Sequence, residues 1–277
     1  IGIIPLQFTQ FPVINMATTY CTTSPVTDSA AAGTALATGE KTYSGAIGVD
    51  VNKQYIATIA ERAKKAGKKV GVTTSVSVDH ATPAAFYAHQ PSRSMYYEIA
   101  LDLPKANLDF YAGGGFLKPT KNYQKEDVPS IFPKFEEAGY TVARGYDDFK
   151  TKSSSAKKMI LTQPEGAEPS SLPYAIDRKP GDLTLAQITE SAISFLTKDN
   201  KKGFFLMVEG GKIDWACHDN DAANAVREIM DMDEAVKVAL EFYKKHPKET
   251  LIVITADHET GGITLGKKSY HANLKVL

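Results

Sequence analysis

Two hydrophobic periods divide this chain. Ile56, Ile59, Ala60 and Ala63 recur at the spacing of one helix face, and Gly67 follows as a stop. With Asp50 and Asn52 as candidate caps, a helix is expected from about 53 to 66. Lys69 to Val76 is β-branched and strand-like. Short strands are expected again at 108–111, 140–143 and 158–161. Phe204 to Val208 is a continuous apolar run, the pattern of a strand covered on both faces, and Leu251 to Ile254 is a second such run. Helical patterns begin at Ser92, near 128, at Thr184 and at Asp221, and Pro83 suits the first turn of a further helix. Residues 1–20 are irregular, with one short strand at most and Phe8, Phe11, Val13 and Ile14 as anchors. Residues 163–182, rich in Pro, Ser and Glu, are expected to be a long loop.

Strands alternate with helices along nearly the whole chain, which predicts parallel strands with helices on both faces. The expected fold is α/β: a three-layer α/β/α sandwich on a mostly parallel central sheet, as a single domain over residues 1–277. The glycines at 113–115 make no dinucleotide fingerprint, because no helix pattern follows them directly.

Composition narrows the function by exclusion. Lys+Arg and Asp+Glu are 32 each, so no basic field points to nucleic acid. No apolar run is long enough to span a bilayer. Two cysteines, Cys21 and Cys217, make no disulfide framework.

Chemistry gathers at strand exits and helix starts, where open α/β sheets bind ligands. Asp28-Ser29 stands before a run of small helix formers that ends at Gly39. Ser29 is therefore expected at a helix N-terminus, where free N–H groups and the dipole favour negative charge. His80-Ala81-Thr82 follows the strand at 69–76, and Glu209-Gly210-Gly211-Lys212-Ile213-Asp214 follows the strand at 204–208. His218 lies four residues after Asp214, on the same helical face. Asp257-His258 follows the apolar run at 251–254. Taken singly, each has a plainer explanation as a cap, a polar turn or a surface residue. Oxygen and imidazole donors together are what Zn²⁺ and Mg²⁺ require. His89 and His246 read as plain helix-end histidines.

These motifs resemble alkaline phosphatases: Val26-Thr27-Asp28-Ser29-Ala30-Ala31, His80-Ala81-Thr82-Pro83-Ala84-Ala85, Val208-Glu209-Gly210-Gly211-Lys212-Ile213-Asp214 with His218, and Thr255-Ala256-Asp257-His258. The resemblance implies a metal-dependent phosphate monoester hydrolase with Ser29 as the nucleophile that becomes phosphoserine. It implies Arg93 as the phosphate-binding arginine. It implies one zinc held by Asp214 and His218, a second by Asp257 and His258, and a magnesium by Thr82 and Glu209. Asp28, His80 and Trp215 would stand behind these ligands. Small phosphate monoesters as substrates, export to the periplasm or the medium, and room for a homodimer follow from the same likeness.

The sequence departs from that family in two places. The family's early Asp-Gly-Met-Gly motif has no counterpart here, and the only histidine after His258 is His271, whose neighbours do not match the family's late histidine ligand. The expectation is therefore an internal fragment of a longer phosphatase, weak in metal binding. The alternatives are a related phosphodiesterase and a metal-poor, inactive piece that keeps the fold. A sulfatase is disfavoured, because Cys21-Thr22-Thr23-Ser24-Pro25 lacks the order its nucleophile needs.

Overall fold

A computed structural model describes residues 5–164 and 170–262. Among these, β1 (Lys69–Thr74), β2 (Phe110–Gly113), β3 (Tyr140–Arg144), β4 (Lys158–Thr162) and β5 (Phe204–Glu209) form one sheet in the order β3-β4-β2-β1-β5. Every pairing is parallel.

Side chains alternate across the sheet with the period of two that strands impose. Val70, Val72, Tyr111 and Ile160 point into one buried cluster with Ile99, Leu103 and Phe135. Phe110, Ala112, Met159 and Leu161 point the other way, onto Ile188, Phe195 and Leu196. The first cluster is roofed by α2 (Ile59–Lys65), α4 (Tyr96–Ala106) and α5 (Phe132–Glu137), the second by α6 (Tyr146–Lys152) and α7 (Leu185–Thr197). The long α9 (Ala222–Lys245) packs outside α7 and reaches the sheet through Phe242 against Phe204, ring centroids 5.5 Å apart. This is the expected three-layer sandwich.

Local chemistry explains where elements begin. Thr58 and Glu61 form a capping box at the head of α2, and Thr184 and Gln187 form another at the head of α7. The helix expected from 53 therefore starts at Ile59. Asp50 does not cap it; its carboxylate instead accepts the N–H groups of Asn52 and Gln54 in its own loop, both at 2.8 Å. The helix expected from Ser92 starts at Tyr96, and the strand expected from Leu108 starts at Phe110. Helix α6, unforeseen, spans 7 residues, too short to display a helical period.

Two expectations about apolar runs fail. β5 is the edge strand of the described sheet and is half-buried throughout, not covered on both faces. Residues 251–256 join no ladder, and Leu251 and Val253 are 87 % and 74 % exposed. An apolar run states what a segment could pair with; its neighbour in space decides whether it does. The lead-in is likewise unanchored at Val13 and Ile14, both 83 % exposed, and among its described residues the one regular piece is a single 3₁₀ turn, Gln7–Gln10. His271 lies outside the described residues.

Candidate active site

The helix α1 (Ser29–Thr38) starts at the expected serine and stops at Gly39, which adopts the left-handed backbone. Its cap is Asp28, not Ser29. The Asp28 carboxylate accepts the N–H groups of Ala30, Ala31 and Gly45 at 3.3, 3.1 and 3.0 Å, and Nη1 of Arg93 at 3.0 Å. Burial alone would raise the Asp28 pKa, but those N–H bonds and the guanidinium outweigh it and hold the carboxyl below its usual range. Asp28 thus ties Arg93 to the mouth of α1 and leaves the hydroxyl of Ser29 uncommitted to capping.

That hydroxyl meets a histidine from the far end of the chain. Ser29 Oγ lies 3.0 Å from His258 Nε2. The other ring nitrogen, Nδ1, lies 3.1 Å from the carbonyl oxygen of Glu259, which can only accept. We therefore assign the proton to Nδ1 and a lone pair to Nε2, facing Ser29. Nδ1 also approaches the hydroxyl of Thr260 at 3.2 Å, and that hydroxyl donates to Asp214 Oδ1 at 2.5 Å. Asp214 and His218 sit on one face of α8 (Lys212–His218), with His218 Nε2 3.4 Å from Asp214 Oδ1. Asp257 Oδ2 is 3.4 Å from His258 Nε2. Thr260 is therefore the link between the two expected Asp–His pairs.

The loop carrying Asp257 and His258 lies against α8 through Gly261. A Cβ at Gly261 would stand 2.6 Å from the carbonyl oxygen of Cys217, and its φ is +80°. Glycine suits that approach on both counts.

The third expected pair lies at the end of β5. Thr74, at the end of β1, donates to Glu209 Oε2 at 2.5 Å, and the hydroxyl of Thr82 also bonds the Glu209 side chain. Thr82 sits on α3 (Ala81–Ala84), which packs on α1. Glu209 as a whole is half-buried, yet its carboxyl end sits in packed protein. That burial pushes its pKa up to about 7, against the two hydroxyls and with the charges of Asp257 and Asp214. Asp257 is raised by the same burial, with Asp214 adding to it. His80 caps α3 without a side-chain bond, and its ring meets Trp215 edge-on at 5.7 Å. Burial and the charge of Arg93 push the imidazole down to about 4, and its Nδ1 is buried without a hydrogen-bond partner.

These groups suit a divalent cation by chemistry: two acids, Glu209 and Asp257, raised by burial with the charge of Asp214 adding to both, an imidazole lone pair and an orphaned ring nitrogen. They stand in twos, however. Among the described residues no three His, Cys, Asp or Glu side chains are gathered closely enough to hold an ion unaided.

Comparison with known proteins places the chain. The alkaline phosphatase family model matches residues 2–112 and 124–276. Alkaline phosphatase 4 of Bacillus subtilis is 43% identical over 257 residues, 89% of this chain and 53% of that protein. Alkaline phosphatase 3 of the same organism is 40% identical over 95% of this chain and 55% of its own length. The solved alkaline phosphatase of the Antarctic bacterium TAB5 superposes with a TM-score of 0.85 at 38% identity, over 96% of this chain and 75% of that one.

The chain belongs to the alkaline phosphatase family. It spans about half the length of the curated relatives it matches. A histidine-to-glutamate mutant of the TAB5 alkaline phosphatase, with Mg bound in its M3 site, superposes with a TM-score of 0.83 at 36% identity.

Within this chain the structure brings Ser29, Arg93, Asp214, Asp257 and His258 together, with Thr82 and Glu209 beside them. His218 is paired with Asp214 but 68 % exposed. Sequence reasoning missed Thr74 and Thr260. A lone threonine carries no spacing signal, although Thr260 sits three residues past Asp257. It also misread His89, which is no plain helix end: its ring bonds the Gly48 carbonyl at 2.7 Å and Glu61 at 3.0 Å.

Proposed function

We propose that the protein is a metal-dependent phosphate monoester hydrolase that works through a phosphoserine at Ser29. The observation that carries this reading is the contact of Ser29 Oγ with the lone pair of His258 at 3.0 Å, at a helix N-terminus where Asp28 holds Arg93.

The residues divide the work as follows. Arg93 offers two parallel N–H donors to the phosphoryl oxygens, a geometry lysine cannot copy. The N-terminus of α1 faces the same charge. Ser29 Oγ attacks phosphorus; the P–O bond to the alcohol breaks, and the alcohol leaves with a proton. Water then attacks the phosphoserine, releasing inorganic phosphate and restoring the hydroxyl. His258 Nε2 faces the Ser29 hydroxyl at 3.0 Å, and the Glu259 carbonyl and Thr260 hydroxyl fix its ring through Nδ1, leaving the Nε2 lone pair for a cation when one is bound. Glu209 and Thr82 would hold magnesium, Asp214 with His218 one zinc, and Asp257 with His258 the other. When bound, those cations supply Lewis-acid stabilisation of the serine alkoxide and of the leaving oxygen.

A metal-poor chain that keeps the fold is the second reading, favoured by donors that stand in twos. Export to the periplasm or beyond, and a homodimer, belong to the first reading by resemblance alone. No helix among the described residues is long and apolar enough to cross a membrane.

Turnover of p-nitrophenyl phosphate with zinc and magnesium present tests the proposal. Ser29→Ala should cost at least about 10³-fold in kcat, and labelled phosphate should appear on Ser29 after an acid quench. Unchanged turnover in Ser29→Ala would refute the phosphoserine route.

A further inference from the structure

Lys212 is the one charged residue between Glu209 and Asp214, and the proposed chemistry gives it no task. It is 2 % exposed, and lysine is almost never buried so deeply unless its charge is answered. Here much of the answer is aromatic. Nζ lies 3.6 Å from the centre of the Tyr174 ring and 4.9 Å from that of Trp215. It also donates to Ser171 Oγ at 3.3 Å. Trp215 stands three residues after Lys212, so the two side chains are neighbours on α8. The same indole meets the His80 ring edge-on at 5.7 Å. Tyr174, the ammonium, Trp215 and His80 thus make one chain of contacts, from the loop at 171–178 to the head of α3.

That loop is a firm seat. The Leu172 N–H donates to the Ser75 carbonyl at 2.8 Å, just past β1. The Ala175 N–H donates to Glu228 of α9 at 2.6 Å, and Arg178 holds Asp231 of the same helix through two bonds of 2.7 and 3.0 Å. A Cβ at Gly114 would stand 2.2 Å from the Ser171 Cα, so the loop lies flush on the chain leaving β2. The backbone of α8 joins the same anchor: the Lys212 N–H donates to Ser75 Oγ at 3.2 Å. Glu228, 3 % exposed, feels the charge of Lys212 and supplies an acid of opposite sign.

We infer that Lys212 is a positioning residue for the proposed hydrolase site: its buried ammonium pins Trp215, and the turn of α8 that carries Asp214, to a loop anchored on the sheet and α9. The inference rests on the reading of Asp214 as a zinc ligand. Lys212 and Trp215 bracket Asp214 in sequence, so seating that pair orients the acid between them. From the other side Thr260 donates to Asp214 Oδ1 at 2.5 Å. An apolar side chain of lysine's length would fill the space, but it would give the two rings no charge to close on.

Trp215 is the only tryptophan of the chain, so its emission reads this seat with neither metal nor substrate present. Lys212→Met keeps the stem and removes the charge. Its emission should shift to longer wavelength, and zinc titrated calorimetrically into the whole chain should bind about tenfold more weakly. Lys212→Arg returns a cation to the rings and should restore both. Tyr174→Leu leaves α8 intact and should change both readouts in the same direction, which tests the inference even where Lys212→Met fails to fold. A lysine that serves stability alone would lower the thermal midpoint and leave emission and zinc affinity at their wild-type values; either readout unmoved overturns the inference. Both readouts moved, in a chain that never hydrolyses p-nitrophenyl phosphate, support the positioning and defeat the hydrolase reading. Wild-type turnover with both readouts unmoved does the opposite. A wild-type chain that takes up no zinc defeats both.

Discussion

Single residues here do their work through hydrogen bonds that set charge. His89 is the clearest case outside the active site. Burial alone would lower its pKa, but the bond to Glu61, the Gly48 carbonyl and the nearby charges of Glu61 and Asp102 outweigh it, and the imidazole is raised above its ordinary value. Burial would raise Glu61, but His89, the Thr58 N–H and Tyr55 outweigh it, and the carboxyl is lowered. A histidine raised on folding gives stability that is full below its unfolded pKa and fades as pH rises through its folded one. A carboxyl lowered on folding gives stability that is full above its unfolded pKa and fades as pH falls through its folded one. The pair therefore supports the fold most strongly between the two unfolded values, 4.5 for the carboxyl and 6.5 for the histidine, and its support fades beyond them toward the folded ones. His89→Gln should cost about 1–2 kcal/mol near pH 6. The gap to wild type should narrow as pH climbs past the raised histidine or drops past the lowered glutamate. Urea unfolding at three pH values checks this, and a pH-independent gap would reject it.

Between elements, the packing of α1 on α3 decides where Ser29 sits relative to Thr82. Gly33 makes that approach possible: a Cβ there would lie 3.2 Å from the Thr82 Cα and 3.2 Å from the Ala85 Cβ. Alanine would gain about 1 kcal/mol of helix propensity and lose a comparable amount to crowding, so Gly33→Ala should be nearly neutral. Gly33→Leu has no such compensation and should cost about 2–3 kcal/mol, read as a lowered thermal midpoint. The same scale shows what the sequence could announce. Asp28 before a run of alanines, with Gly39 after it, fixed α1 to the residue. Alternating strands and helices were enough for the parallel sheet and its two helical layers. Leu251 to Ile254 misled because β-propensity describes a surface waiting to be paired. Asp50 misled because an aspartate can bond its own loop as readily as cap a helix. Three of the four site motifs could be read because each places a charged or nucleophilic group at a helix start or a strand exit, Asp28-Ser29 and His80-Ala81-Thr82 at the first and Glu209 at the second; Asp257-His258 follows a run that pairs with nothing among the described residues. Thr74 and Thr260 could not, since their roles exist only once β1 lies beside β5 and the 257–262 loop lies on α8.

Across the whole molecule the candidate centre is a meeting of segments remote in sequence. Glu209 ends β5, Asp214 rides on α8, Asp257 follows an unpaired run, and Ser29 opens α1. No local folding unit contains all of them, so anything that bridges the acids must act on the fold as a whole. Burial raises Glu209 and Asp257, and the charge of Asp214 adds to both, so without a counter-charge their ionised forms cost stability. A divalent cation reverses that sign: it neutralises the acids it meets and binds only the folded arrangement. At a free concentration one hundred times its Kd, such an ion adds about 2.7 kcal/mol. In a chain of this size that is about 5–10 °C in thermal midpoint. Zinc should produce this shift, a chelator should abolish it, and Asp257→Asn should lose most of it. Ser29→Ala should keep it, because the serine would not be needed to hold the ion. Scanning calorimetry of the three proteins with and without zinc makes the comparison. A wild-type midpoint unmoved by millimolar zinc would leave Glu209 and Asp257 as buried acids with no cation to serve.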